Sequence, residues 1–412
     1  MNGISTPSRI PSNPESPSLR RLDRLFREAL HQRVFSGAAL LISSRSRILL
    51  ERWWGKTRDD GQIIDAHTHF DLASLTKPLF TAPLAMLSIG AGKLGLDDTL
   101  HRFFPKAGIP RDKAGITVRH LLNHSSGLPA YKPFYLELLG SPAVRVQDTL
   151  LRWILETPTL HLPGAASMYS DLGFMLLGII LEMVWDRSLD RLLDEMLQTF
   201  PPAREPEREE VFPVGRGTEP PAAEDAGFVP LQIHPDPILP PVISVKKTVS
   251  FAATEFCPWR RRLLEGEVHD ENAYCLGGVG AHAGLFGTAR AVFRILDFLW
   301  NVHEGTFSAA PWFSEVVREF WERKGKVPHG TWALGFDTPT PGQSSAGGRF
   351  GPRSIGHLGF TGTSFWMDPD RGILVILLSN RVYPSRQNDK IRAFRPILHD
   401  TAVEVYEELR RP

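Results

Sequence analysis

The first patterned segment of the chain is helical. Leu19, Leu22, Leu25, Phe26, Ala29 and Leu30 share one face with arginines opposite, which predicts an amphipathic helix capped by Ser18. Two strand-like runs follow, 37–43 and 47–54, and the polar Ser44-Arg45-Ser46 between them suits a hairpin turn. The run 75–89 is mostly apolar and reads as a buried helix, with Pro78 in its first turn and Pro83 bending it. Between 96 and 200 short helical patterns alternate with loops: 117–122, 143–156, 172–185 and a segment capped by Ser188. Residues 172–185 are apolar nearly all round, which predicts a central helix. Thr288 caps a later helix with Val292, Ile295, Leu296 and Leu299 inward. Strand patterns then return at 331–336, 354–359, 363–367 and 373–378, with Asp368-Pro369-Asp370-Arg371-Gly372 as a hairpin turn, and a helix closes the chain at 396–409.

Strands at both ends and helices between them predict an α+β fold. One antiparallel sheet is assembled from N- and C-terminal strands, and a helical region is inserted between them. The expected boundaries are a disordered tail at 1–17 and one folded unit at 18–412. Within that unit the sheet region covers about 18–80 and 285–412, and the helical region about 81–284. Residues 201–247 are a Pro-rich insertion.

Composition narrows the function classes. The 412 residues carry 47 Lys plus Arg against 46 Asp plus Glu, a net charge of +1, which gives no basis for a nucleic-acid partner or a polybasic anchor. A hydrophobic content of 42% supplies a core and excludes wholesale disorder. Cys257 and Cys275 are too few for a disulfide scaffold and are expected as free thiols. The Ser/Pro/Asn-rich start lacks the apolar segment of a secretory signal, and the apolar run 172–181 is too short to span a bilayer. The expectation is a cytoplasmic protein with no membrane anchor.

Phosphate loops, His-Glu-x-x-His, Cys-x-x-Cys and the Gly-x-Ser-x-Gly elbow are missing from the sequence. His120 and His124 have helical ligand spacing but no acidic or third ligand near them in sequence, so no metal or other cofactor is called for. What remains is Ser74-Leu75-Thr76-Lys77. On a helix, positions three apart share a face, so the lysine amine can lie against the serine hydroxyl. A lysine desolvated in an apolar pocket loses basicity and can accept the serine proton near neutral pH. Alone the motif is weak: Ser244-Val245-Lys246-Lys247 repeats it beside the Pro-rich insertion, and an N-cap is the bland reading of Ser74. Tyr169-Ser170-Asp171 stands at the entrance of the central helix, where a tyrosine can shuttle protons across a cleft. Gly356-His357-Leu358-Gly359-Phe360-Thr361-Gly362-Thr363 lies on a late strand and its turn, where glycines admit a substrate to the strand edge.

The ordered triple Ser-x-x-Lys, Tyr-x-Asp and His-x-Gly resembles the serine β-lactamase and penicillin-binding-protein superfamily, above all its class C β-lactamase-like hydrolases. Flanking phrases add to the likeness: Thr117-Val118-Arg119-His120-Leu121-Leu122-Asn123-His124-Ser125-Ser126-Gly127-Leu128-Pro129, Tyr169-Ser170-Asp171-Leu172-Gly173, Gly284-Leu285-Phe286-Gly287-Thr288-Ala289, Gly362-Thr363-Ser364 and Ser379-Asn380-Arg381. It runs from about residue 19 to 405, excluding much of 201–247. The resemblance implies a sheet of about five antiparallel strands flanked by helices, a helical subdomain opposite, and a cleft between them. It implies Ser74 as the acylated nucleophile, with Lys77 and Tyr169 sharing the proton transfers. The backbone N–H groups of Ser74 and Phe360 would hold the oxyanion, and Asp171, His357, Gly359 and Phe360 would line the substrate site. The departures are Asp171 where the family has Asn, His357 where it has Lys, and Leu358 where it has a hydroxyl residue. The last two weaken a carboxylate site and favour small esters, amides or lactams over anionic substrates. The alternatives are a true β-lactamase or D-alanyl-D-alanine carboxypeptidase, and a catalytically silent binding protein of the same fold.

Overall fold

A computed structural model of the chain describes residues 16–138, 146–200, 228–229, 249–323, 327–328 and 330–410. Its centre is a five-stranded antiparallel sheet: β1 (Gly37–Ser44), β2 (Arg47–Gly55), β3 (Ile355–Leu358), β4 (Ser364–Asp368) and β5 (Ile373–Ser379), in the order β2-β1-β5-β4-β3. The pairing of β1 with β5 joins the two ends of the chain, with Leu40 opposite Leu377 and Ile42 opposite Val375. Alternate residues serve opposite faces. Leu40, Ile42, Val375 and Leu377 pack with Leu22 and Phe26 of helix α1 (Pro17–His31) and with Leu398 and Ala402 of the C-terminal helix. Leu41, Leu374 and Ile376 belong to the larger core that includes Val292, Ile295 and Leu296. Both faces are therefore covered, which is why β1 and β5 read as apolar runs rather than as alternating patterns.

The remaining helices that bear on the site are α2 (Ala82–Gly90), α3 (Val118–Leu122), α4 (Asp171–Trp185), α5 (Ala289–Glu304) and α6 (Ile391–Leu409). α4 is the expected central helix: nine of its fifteen residues are buried, on every side. Among the described residues no helix is long and apolar enough to cross a membrane.

Several boundaries differ from expectation. Ser16, not Ser18, caps α1: its Oγ accepts from the Leu19 N–H at 3.4 Å, and Pro17 takes the first helical position, where a missing N–H is harmless. Of the expected tail, residues 1–15 lie outside the described residues. So do residues 143–145 of the helix expected at 143–156, whose described part is Val146–Glu156. The segment 331–336 is not a strand; Gly335 at φ +82° turns the chain, leaving single bridges from Trp332 to Asp337 and from Asp337 to Gly356. α6 starts at Ile391 and carries Pro396 inside it. The insertion 201–247 lies outside the described residues except for Phe228–Val229, whose backbone pairs with Phe286–Gly287, itself paired with Phe70–Asp71.

Candidate active site

Ser74 is presented by strained backbone. After Phe70–Asp71 the chain bends at Ala73, a non-glycine residue at φ +47°. Such a conformation costs on the order of 1–3 kcal/mol and persists only where the surroundings enforce it. Here the Asp71 carboxylate accepts from the Ala73 N–H at 2.8 Å. A 3₁₀ turn, Ala73–Leu75, then leads into a wide π-helical turn, Lys77–Thr81, before α2. Pro83 has no N–H to offer the Leu79 carbonyl, so regular α-helix cannot form across this join. The segment is tied to the Gly-rich turn behind it. The Thr76 hydroxyl accepts from the Leu285 N–H at 3.1 Å, and the Thr81 hydroxyl donates to the Ala281 carbonyl at 2.6 Å. Gly284 (φ +122°) has no room for a side chain, since a Cβ would lie 2.2 Å from the Gly278 carbonyl oxygen.

That turn delivers the His282 carbonyl to Lys77. The Lys77 Nζ, fully buried, contacts three groups: Ser74 Oγ at 3.1 Å, the His282 carbonyl at 2.8 Å and Asp171 Oδ1 at 2.7 Å. Burial pushes the Lys77 pKa below its ordinary value, against the opposing pull of Asp171. Tyr169 Oη donates to Ser74 Oγ at 2.6 Å. Burial first, and the Asp171 charge second, drive the phenol pKa well above its usual value. Tyr169 and Asp171 flank Ser170, which caps α4: its Oγ accepts from the Gly173 N–H at 3.2 Å and donates to the Pro129 carbonyl at 2.7 Å. The structure therefore gathers Ser74, Lys77, Tyr169 and Asp171 around one hydroxyl, from two helix entrances 95 residues apart.

A family profile described as Beta-lactamase matches residues 22–396. The chain belongs to the β-lactamase family. A relative from Salmonella agona named "Putative D-alanyl-D-alanine carboxypeptidase" is 27% identical over 398 residues, covering 92% of this chain and 86% of that one. The octameric penicillin-binding protein homologue from Pyrococcus abyssi superimposes with a TM-score of 0.64 at 18% identity, over 94% of this chain and 77% of that chain. EstCE1, a hydrolase with promiscuous acyltransferase activity, does so at 0.61 and 20% identity, over 92% and 98%. At those identities the superpositions establish a shared fold.

In this β-lactamase-family site the late strand β3 serves differently from its sequence reading. His357 is buried, with its ring 6.2 Å from that of Tyr169 and 5.4 Å from that of Trp332. Its Nδ1 donates to the Leu358 carbonyl at 2.9 Å. Burial, and then the Lys77 charge, lower its pKa to about 3. A histidine so placed stays neutral throughout the working pH range. Asp171 is placed on Lys77. Gly359 donates its N–H to the Thr363 carbonyl at 2.7 Å, and a Cβ there would sit 2.0 Å from Thr363 Oγ1. Phe360 is exposed, with the Arg381 guanidinium 4.4 Å from its ring centre. The turn carrying it is pinned to the Ser74 segment: the Thr361 and Thr363 hydroxyls donate to the Asp71 and Leu72 carbonyls at 2.7 and 3.1 Å.

Two neighbours, Trp332 and Asp270, escaped the sequence reading, and a third, His124, was read there only as half of a spaced pair. His124, at φ +56°, accepts from the Ser170 N–H at 3.1 Å and packs its ring 4.6 Å from Tyr169. Trp332 packs 4.5 Å from His124 and 5.5 Å from Tyr169. Asp270 meets His282 Nε2 at 3.0 Å and so orients the residue whose carbonyl holds Lys77; despite burial, His282 keeps the Asp270 carboxyl below its usual range. His120 and His124 were visible as a spaced pair, yet His120 closes a capping box with Thr117 at the start of α3. The second Ser-x-x-Lys, 244–247, lies outside the described residues.

Proposed function

We propose that this β-lactamase-family protein is a serine hydrolase that forms an acyl-enzyme on Ser74 and cleaves small uncharged esters, with amides and lactams as slower substrates, within one catalytic unit spanning 18–412. The carrying observation is the contact set of Lys77. Two of its three partners, Asp171 Oδ1 and the His282 carbonyl, only accept hydrogen bonds, so a neutral amine spends both N–H groups on them. Its lone pair is then left for the Ser74 O–H. Lys77 takes that proton as Ser74 Oγ attacks the substrate carbonyl carbon, and Asp171 stabilises the ammonium that forms. The N–H groups of Ser74 and Phe360 receive the oxyanion, each such donor contributing roughly 3–4 kcal/mol in the transition state. Tyr169, whose raised pKa suits a donor and not a base, protonates the departing alkoxide and is resupplied from Lys77. Water in the alcohol's place then reverses the sequence and frees Ser74 with release of the acid.

The preference for uncharged esters follows from what surrounds His357. That side chain is neutral, and Leu358, the next residue of β3, turns to the opposite face and offers the cleft no group. The Arg386 guanidinium is already bound by Glu255 and by Glu271. A desolvated carboxylate would find no charge on the His357 side chain to replace its water. This also separates the reading from D-alanyl-D-alanine carboxypeptidase, the name carried by the Salmonella relatives. The test is kcat/KM for p-nitrophenyl butyrate against nitrocefin on one preparation. The ester is expected to be favoured at every pH from 6 to 8; a preference for nitrocefin overturns the ester reading.

A pH profile separates the titrating groups. The competent form has Lys77 deprotonated, and its folded pKa is lowered, so kcat/KM rises with pH through a single limb centred below the ordinary lysine value of about 10.4. His357→Gln is expected to leave the position of that limb unchanged, since His357 stays neutral throughout. A second limb near pH 6.5 that disappears in His357→Gln would assign the titration to His357 instead.

A further inference from the structure

Successive residues of a strand point to opposite faces. On β3, His357 points toward Tyr169, and Leu358 lines a cavity of about 540 Å³ on the other side. Its apolar wall is Leu358 and Pro396, Gln343 and Ser345 line it from the loop above, and Arg392 and Arg395 reach it from the start of α6. That volume falls in the range of small-ligand sites.

Arg395 is the unusual member. The residue is 6% exposed, and no carboxylate lies within ion-pair distance of it among the described residues. Its Nη2 donates to the carbonyls of Gly359 and Thr363 at 2.9 and 2.8 Å, while its Nε has no partner. The neighbouring Arg381 adds like charge, and it too donates only to carbonyls, those of Phe360, Arg386 and Asn388. Arg392 is exposed, and no hydrogen bond of its guanidinium is formed among the described residues. Asp400, the one acid on the wall, spends an oxygen on the N–H groups of Gly348 and Arg349 at 2.8 and 3.0 Å. Burying a guanidinium with no opposite charge is costly, and a guanidinium is not readily relieved of its proton. Arg392 and Arg395 outnumber the single Asp400 carboxylate on this wall, which leaves room for one further partner of opposite charge.

We propose that this cavity binds a small organic carboxylate, its head on Arg392 and the Arg395 guanidinium and its short apolar tail against Leu358 and Pro396, at a site separate from Ser74. Through the Arg395 hydrogen bonds to Gly359 and Thr363 the site is joined to the turn that carries Phe360.

The test is calorimetric titration of the full-length protein with sodium acetate, sodium hexanoate and inorganic phosphate. Hexanoate is expected to bind at a single site at least about tenfold tighter than acetate, because four added methylenes are removed from water. Arg392→Ala, an exposed substitution that leaves the core intact, is expected to weaken hexanoate about tenfold or more through loss of a charge-assisted contact. Arg392→Glu should abolish binding. Three results would overturn the proposal: no hexanoate binding, hexanoate binding unchanged in both variants (which places it outside this cavity), or phosphate binding as tightly as hexanoate.

Discussion

Ser74→Ala is expected to abolish ester turnover, by roughly 10⁴-fold or more, while leaving the fold intact. In the proposed mechanism the hydroxyl is the attacking group: among the described residues around it, Lys77 is wholly buried and Tyr169 points its own O–H at Ser74 Oγ. Losing that oxygen removes two hydrogen bonds, but Lys77 keeps the His282 carbonyl and Asp171. The Ala73 bend, the Thr76 and Thr81 ties and the Asp71 contact to the Ala73 N–H do not involve the hydroxyl. The variant should therefore melt close to wild type in a thermal scan, and the loss should appear in kcat. A Ser74→Ala protein retaining a tenth of wild-type kcat would place the nucleophile elsewhere.

Lys77→Ala and Tyr169→Phe are each expected to lower kcat by about 10²–10⁴-fold, the usual contribution of a positioned proton-transfer group. The double variant should be little worse than the more damaging single one, because both residues contact Ser74 Oγ and the proposed mechanism runs one proton path through it. The two differ in what else they disturb. Tyr169→Phe keeps the ring that packs on His124 and Trp332, so its stability should be near wild type. Lys77→Ala strands the Asp171 carboxylate without its partner and empties a buried volume, so its melting temperature should fall. Lys77→Ala should also erase the rising limb of the pH profile, and Tyr169→Phe should retain it. Full activity in either variant would remove that residue from the proton path.

Much of this was legible in the sequence because it depended on local pattern. The apolar runs at β1 and β5, the Asp368–Gly372 turn and the cap of α5 by Thr288 each follow from a few neighbouring residues. The pairing of Ser74 with Lys77 follows from helical spacing, although the real backbone is a 3₁₀ turn running into a π turn. The role of His357 was not legible, because a strand pattern does not say which side chains meet above it. Only the packing of Tyr169 and Trp332 against the ring makes it a buried neutral group. Trp332 was misplaced with its segment, since the pattern 331–336 alternates like a strand and the turn at Gly335 prevents one. The contact of Asp171 with Lys77 and the carbonyl of His282 are long-range facts, set by how α4 and the Gly-rich turn converge on the head of α2. Arg395 fell just before the helix expected at 396–409 and drew no reading; its burial without an acidic partner exists only once the turn 359–363 folds over it.

The most direct test of the central claim is intact-mass analysis of the wild-type protein after reaction with a fluorophosphonate, followed by peptide mapping. A single adduct on the peptide that contains Ser74, absent in Ser74→Ala, is the predicted result. A label on Ser244, or an unlabelled protein that still hydrolyses p-nitrophenyl butyrate, would contradict it.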